Sequence, residues 1–202
     1  MPVTVNEGTP IPTNTVVGGS LADLLEGGRL KVNRDPQDQD AWCYAACASM
    51  VINFLIATND FVPQCQVASF VKRTVVQSCC DPTPDACKTS GCTADQVGEI
   101  FRNFKIDYEG SDDPTNIFGT ITPSEIRDEI HTDGRPIEVV IDWADDGFEK
   151  SSHALLITGF READEYVYIT DPLNGLNYNG WQPYEFLDEG FGQGKWARTW
   201  TG

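Results

Sequence analysis

Apolar and polar positions change rhythm about halfway along the chain. From Trp42 to Ile56 a run rich in Ala, Met, Val, Leu and Ile has few polar breaks, which predicts a helix buried on most sides. Asp38 or Asp40 stands where a cap would sit. Helical patterns also cover Gln64–Val76 and Ala94–Phe104, separated by the loop Ser78–Thr93. After about Lys105, Thr122 with Pro123 and Glu125 forms a capping-box signature that opens a helix over Pro123–Glu129, and Gly134-Arg135-Pro136 closes it. Strand-like runs follow at Ile137–Ile141, Ala154–Phe160, Tyr166–Thr170 and Trp196–Trp200, and a turn containing Asp164-Glu165 makes residues 154–170 a hairpin. Helices first and antiparallel strands afterwards predict an α+β protein, with an N-terminal helical side and a C-terminal antiparallel β-sheet side meeting at a cleft.

Residues 1–35 break this pattern. They hold Gly8, Pro10, Pro12, Gly18, Gly19, Gly27 and Gly28 among polar residues, with a short helix expected at Ser20–Glu26. They read as an N-terminal extension to a domain at 36–202: a linker, an arm packed on the main body, or a propeptide. Gly18-Gly19 and Gly27-Gly28 are either turns or flexible sites for cleavage.

Charge and cysteine usage narrow the class. Fourteen basic residues against 31 acidic ones leave a net charge of −17, which excludes a basic stripe for a nucleic-acid backbone and gives a weak bias toward basic peptides. No apolar run is long enough to span a bilayer, so no membrane partner is expected. The start, Met1-Pro2-Val3-Thr4, lacks the basic and apolar regions of a signal peptide. Seven cysteines, all before residue 93, suggest three disulfides and one free thiol, hence a secreted or otherwise exported protein. Adjacent Cys79 and Cys80 should have different partners. A zinc site at Cys79, Cys80, Cys87 and Cys92 competes with this reading, but the Cys-x2-Cys knuckle is missing.

The candidate chemistry starts at Cys43, the cysteine that opens the first long helix, where exposed backbone N–H groups favour a thiolate. Taken alone, Cys43 reads rather as a half-cystine or a core thiol, although Cys47 one turn later is the better structural partner. His153 opens a strand and is the candidate general base; its rival, His131, sits in a polar stretch that reads as an exposed helix end. Asp171, before Pro172, either orients the imidazole or forms an Asp-Pro turn. Gln37, or alternatively Gln39, could donate to an oxyanion together with the Cys43 N–H. Two histidines leave too few ligands for a metal hydrolase unless carboxylates dominate, so no cofactor and no metal are expected.

Gln37, five intervening residues and then Cys43 in Trp-Cys-Tyr-Ala-Ala resemble the active-site segment of papain-like cysteine peptidases, in particular a compact bacterial branch that includes avirulence-type effector proteases. Tyr44 replaces the tryptophan usual after the nucleophile, and Ser152 stands where glycine is frequent. Ser151–Phe160 resembles the histidine strand, and Tyr168-Ile169-Thr170-Asp171-Pro172 the strand bearing the third member. The resemblance implies Cys43 as nucleophile, His153 as base, Asp171 as orienting residue, Gln37 as oxyanion donor, and Trp181 as a shield over the His–Asp pair. It also implies a monomeric peptidase acting on a protein or peptide, self-processing its N-terminal segment. Deamidation or transpeptidation through the same acyl-thioester is the alternative, and a catalytically inactive binding or toxin-like module is another.

Overall fold

The structure, a computed structural model, describes residues 25–55, 61–80, 82–89, 91–104, 115–143, 152–175 and 178–201. Its helices are α1 (Cys43–Leu55), α2 (Gln64–Val71), α3 (Asp85–Lys88), α4 (Ala94–Asn103), α5 (Pro123–Arg127) and α6 (Tyr184–Asp188). A π turn over Asp128–Asp133 continues α5, and a 3-10 turn over Gly190–Gly192 follows α6. The strands are β1 (Leu25–Glu26), β2 (Arg29–Leu30), β3 (Thr115–Phe118), β4 (Ile137–Trp143), β5 (Ser152–Arg161), β6 (Tyr166–Thr170), β7 (Gly180–Pro183) and β8 (Gly194–Thr201). They form one antiparallel sheet in the order β1-β2-β5-β4-β8-β3, while β6 pairs with β5 on its other side and carries β7. The fold class is α+β.

Both faces of this sheet are covered, and strand alternation sorts the side chains between them. Ile137, Val139 and Ile141 of β4 join Leu155, Ile157, Val167, Ile169 and Trp196 in one core cluster. Val140, Ala154, Leu156 and Trp200 belong with the other, beneath α1, α2 and α4. Helix α1 is buried continuously from Tyr44 to Ile52. Its Ala45, Ala46 and Ala48, all fully buried, let neighbouring backbone approach on several sides at once. Capping boxes start α4 (Thr93 with Gln96) and α5 (Thr122 with Glu125), and Pro123 occupies the first turn of α5.

Several expectations change. Leu25–Glu26 is a strand, not the end of a helix, and the rest of the Ser20–Glu26 stretch lies outside the described residues, as does Gly18-Gly19. Gly27 and Gly28, at φ of 59° and 83°, make the two-residue turn between β1 and β2, a geometry that favours glycine at both positions. The Gln64–Val76 helix stops at Val71 and continues as turns. The predicted Pro123–Glu129 helix widens into the π turn, ended by Gly134 at φ 69°. His131 is half-buried there rather than exposed, with its ring against Phe160 and Nε2 at 3.4 Å from the Gly28 carbonyl. Strands β1, β2, β3 and β7 add to the four expected.

Two disulfides form, not three: Cys65–Cys80 and Cys79–Cys87. The adjacent cysteines do take different partners. Cys43, Cys47 and Cys92 remain thiols. Cys47 is sealed in the apolar cluster beneath α1, where a thiol packs as a small hydrophobe without a bridge. Since Cys79, Cys80 and Cys87 are bridged, the loop holds no four-thiol zinc set.

The β2–β5 junction depends on Gly159. It pairs with Arg29 on one side and Tyr168 on the other, and a Cβ there would lie 2.6 Å from Arg29 Cβ and 2.9 Å from Tyr168 Cβ. Gly159→Ala should therefore destabilise the protein by about 1–3 kcal/mol through overpacking, read as a lower midpoint in urea unfolding.

Candidate active site

Three elements converge on the site. Cys43 is the first residue of α1, half-buried at the end where backbone N–H groups lack helical acceptors. Trp42 anchors this helix start: its indole is buried and its Nε1 donates to the Cys87 carbonyl at 2.6 Å, while its backbone N donates to the Gln39 carbonyl at 3.0 Å. His153 lies near the start of β5, opposite Ile141 of β4. Asp171 follows β6 directly and is fully buried.

His153 Nε2 and Asp171 Oδ1 are 2.7 Å apart. With Nε2 turned to the carboxylate, Nδ1 is the ring nitrogen left for the Cys43 thiol, which hydrogen-bonds to the His153 side chain. Asp171 Oδ1 also accepts from the Leu173 N at 2.8 Å, and the Asp171 N donates to Asn179 Oδ1 at 2.8 Å. Arg34 Nε donates to the Asp171 carbonyl at 2.6 Å, and Arg34 Nη2 donates to the Leu173 carbonyl and to Asn174 Oδ1. The Gln37 N donates to the Pro172 carbonyl at 2.9 Å. The loop leading to Cys43 and the loop carrying Asp171 are thus stitched together.

Gln37 lies beside this junction, but its amide turns inward. Nε2 donates to the carbonyls of Gln39 (2.9 Å) and Asp40 (2.8 Å), so both amide hydrogens are engaged within the loop. Buried Gln64 fixes the same loop, donating to Asp35 Oδ2 and the Pro36 carbonyl and accepting from the Asp38 N.

The indole beside His153 is Trp143, with ring centroids 6.3 Å apart and 15° between planes. Trp181, the residue expected in that place, packs edge-on against Tyr168 and beneath Arg161. Trp143 went unnoticed in the sequence because its approach to His153 depends on the β4–β5 pairing. A residue two positions past Ile141 on a strand paired with His153 would have been the available signal, had the pairing been known.

Electrostatics favour an ion pair. Burial resists ionisation of Cys43 most strongly, yet the hydrogen bond and charge of His153, with the backbone N–H groups of Ala154 and Tyr44, bring the thiol below its ordinary range. Burial likewise opposes the charge on His153, but the bonds to Asp171 and Cys43 outweigh it and raise the imidazole to about 9. The arrangement can hold a thiolate beside an imidazolium, which is an activated nucleophile with a stored proton.

A family model described as the Peptidase_C39 like family matches residues 29–201. The chain belongs to the Peptidase_C39 like family. Among solved structures, active wild-type interpain A cysteine protease from Prevotella intermedia is similar, with 17% identity and a TM-score of 0.42 over 67% of this chain and 52% of its own. This chain spans about half the length of that protein. No curated protein matches.

In this Peptidase_C39 like chain the thiols differ sharply. Burial first, then neighbouring negative charge, pushes Cys47 and Cys92 well above the ordinary thiol range, while Cys43 moves the other way. At pH 7 a limiting amount of iodoacetamide should label Cys43 and spare Cys47 and Cys92. Unfolding without a reductant should open all three, as counted by intact and peptide mass analysis.

Proposed function

We propose that this protein is a papain-like cysteine peptidase in which Cys43 is the nucleophile, His153 the general base and acid, and Asp171 the residue that orients the imidazole. The observation that carries the reading is the continuous contact from the helix-borne thiol through His153 to buried Asp171. The Cys43 thiolate attacks a peptide carbonyl, and the His153 imidazolium gives its proton to the leaving amine. Water, deprotonated by His153, then hydrolyses the thioester and frees Cys43. The backbone N–H of Cys43 would meet the oxyanion. Gln37 would join it by turning its amide away from the Gln39 and Asp40 carbonyls, with Gln39 as the alternative donor.

The net charge of −17 favours basic peptides among its substrates, and the two disulfides favour an exported protein. A self-processing cut would fall before Leu25, because the Gly27-Gly28 turn belongs to a hairpin built into the sheet.

Cys43→Ala should reduce peptide hydrolysis to the uncatalysed background while the circular dichroism spectrum stays that of the wild type; residual turnover at the wild-type rate would sink the mechanism. Asp171→Ala should lower kcat by roughly 100-fold, a smaller loss, because the thiol and imidazole can still pair. The ion pair also defines the pH profile. Activity should fall on the acid side as Cys43 takes up a proton below its lowered pKa, and on the alkaline side be lost by the time His153 gives up its proton near pH 9, measured as kcat/KM against pH.

A further inference from the structure

Behind the nucleophile lies a carboxyl group that the proposed mechanism does not use. Glu138 sits in the middle of the sheet on β4, paired in register with Leu156 of β5 and Trp200 of β8. Its side chain is 1% exposed, and neither carboxyl oxygen has a hydrogen-bond partner. Leu156 and Trp200, its ladder neighbours, belong to the cluster beneath α1 that also contains Tyr44 and Cys47, so Glu138 shares the side of the sheet toward α1.

Resting on the peptidase reading, we propose that Glu138 is a positioning residue for Cys43: an uncharged acid behind the nucleophile whose ionisation weakens the thiolate. The groups around it leave little room for another anion. Helix α1 contributes Cys43, Cys47 and Tyr44, and the segment before α4 contributes Cys92. Flanking Leu156 and Trp200 bring no charge. Asp171 acts on Cys47 from the far side of the site. The cations are His153, already paired with Asp171, and Lys72, which acts on Cys92 and donates to the Gly91 carbonyl; Arg102 lies beyond Trp200 at Gly98. With Asp171 and Cys43 ionised against one imidazolium, the site carries one excess negative charge. A second from Glu138 would be buried without a counter-ion.

The coupling is reciprocal. Burial first, then the negative charge of Cys43, raises Glu138 to about 8, so it is neutral when the ion pair is active. Once ionised, Glu138 opposes the thiolate and the oxyanion that grows from it. The wild-type alkaline limb therefore combines two losses, Glu138 first and His153 above it.

Glu138→Gln keeps the shape and cannot ionise. Its alkaline limb in kcat/KM should move upward by about one pH unit, leaving about tenfold more of its plateau activity at pH 9 than the wild type retains. An unshifted limb, or a uniform loss at every pH, would overturn the proposal. Wild-type protein carrying 13Cδ-labelled glutamate gives a test that needs no variant to fold. One carboxyl signal should titrate near pH 8, and titration of every glutamate in the ordinary carboxylate range would overturn the proposal equally. If the wild type shows no thiol-dependent hydrolysis, the peptidase reading fails by itself. The carboxyl titration still judges Glu138, as does the inflection near pH 8 in Cys43 alkylation by iodoacetamide.

Discussion

The bond between His153 and Asp171 is the constraint around which the site is organised. A carboxylate with no solvent exposure is costly unless its charge is answered nearby, and here imidazole and backbone N–H groups share that task. Its position at the end of β6 forces the next residues to turn back on it, so that the Leu173 N reaches Oδ1 and Asn179 returns to hold the Asp171 N. Arg34 and the Gln37 backbone then grip that turn from the segment preceding α1. The thiol, the imidazole and the carboxylate come from distant parts of the chain, yet each is positioned by hydrogen bonds that involve another's loop.

The two-faced sheet explains how such a polar arrangement survives among apolar layers. One face carries a core of branched aliphatic residues closed by α5, the π turn and α6, and contributes rigidity. The other receives α1, and at that face lie Glu138 and Trp200 on the sheet and Tyr44 on the helix, each with a buried side-chain polar atom lacking a hydrogen-bond partner. Departures from the usual satisfaction of buried groups concentrate where reactivity is needed. Glu138, in the same layer as Cys43, is one such group.

Local pattern made much of this legible. The α1 run was readable because its apolar stretch is long, and the α5 start because Thr122, Pro123 and Glu125 form a complete capping signature. The α+β segregation followed from the order of these patterns. What sequence could not convey depends on partners far along the chain. The disulfide pairing and the free state of Cys92 are matters of proximity alone. Leu25–Glu26 becomes a strand because it pairs with Arg29–Leu30, and Arg29 in turn docks on the edge that β5 offers at Gly159 where it extends past β4, a fact of tertiary pairing that overrides the local helical pattern. The π turn retains the apolar spacing of a helix and leaves no separate mark. Gln37 was named from its spacing to Cys43, but the direction of its amide is set by the carbonyls of Gln39 and Asp40.

The bond from Trp42 to the Cys87 carbonyl joins the start of the Cys43 helix to a disulfide. Trp42 immediately precedes Cys43, and Cys87 is held in place by its bridge to Cys79. A thiol reagent therefore has two opposed effects on this molecule. It keeps the Cys43 thiol from oxidising, and by opening the Cys79–Cys87 bridge it loosens the peg on which the helix start hangs. Under the proposed function such a protein has a redox optimum rather than a simple requirement for reduction.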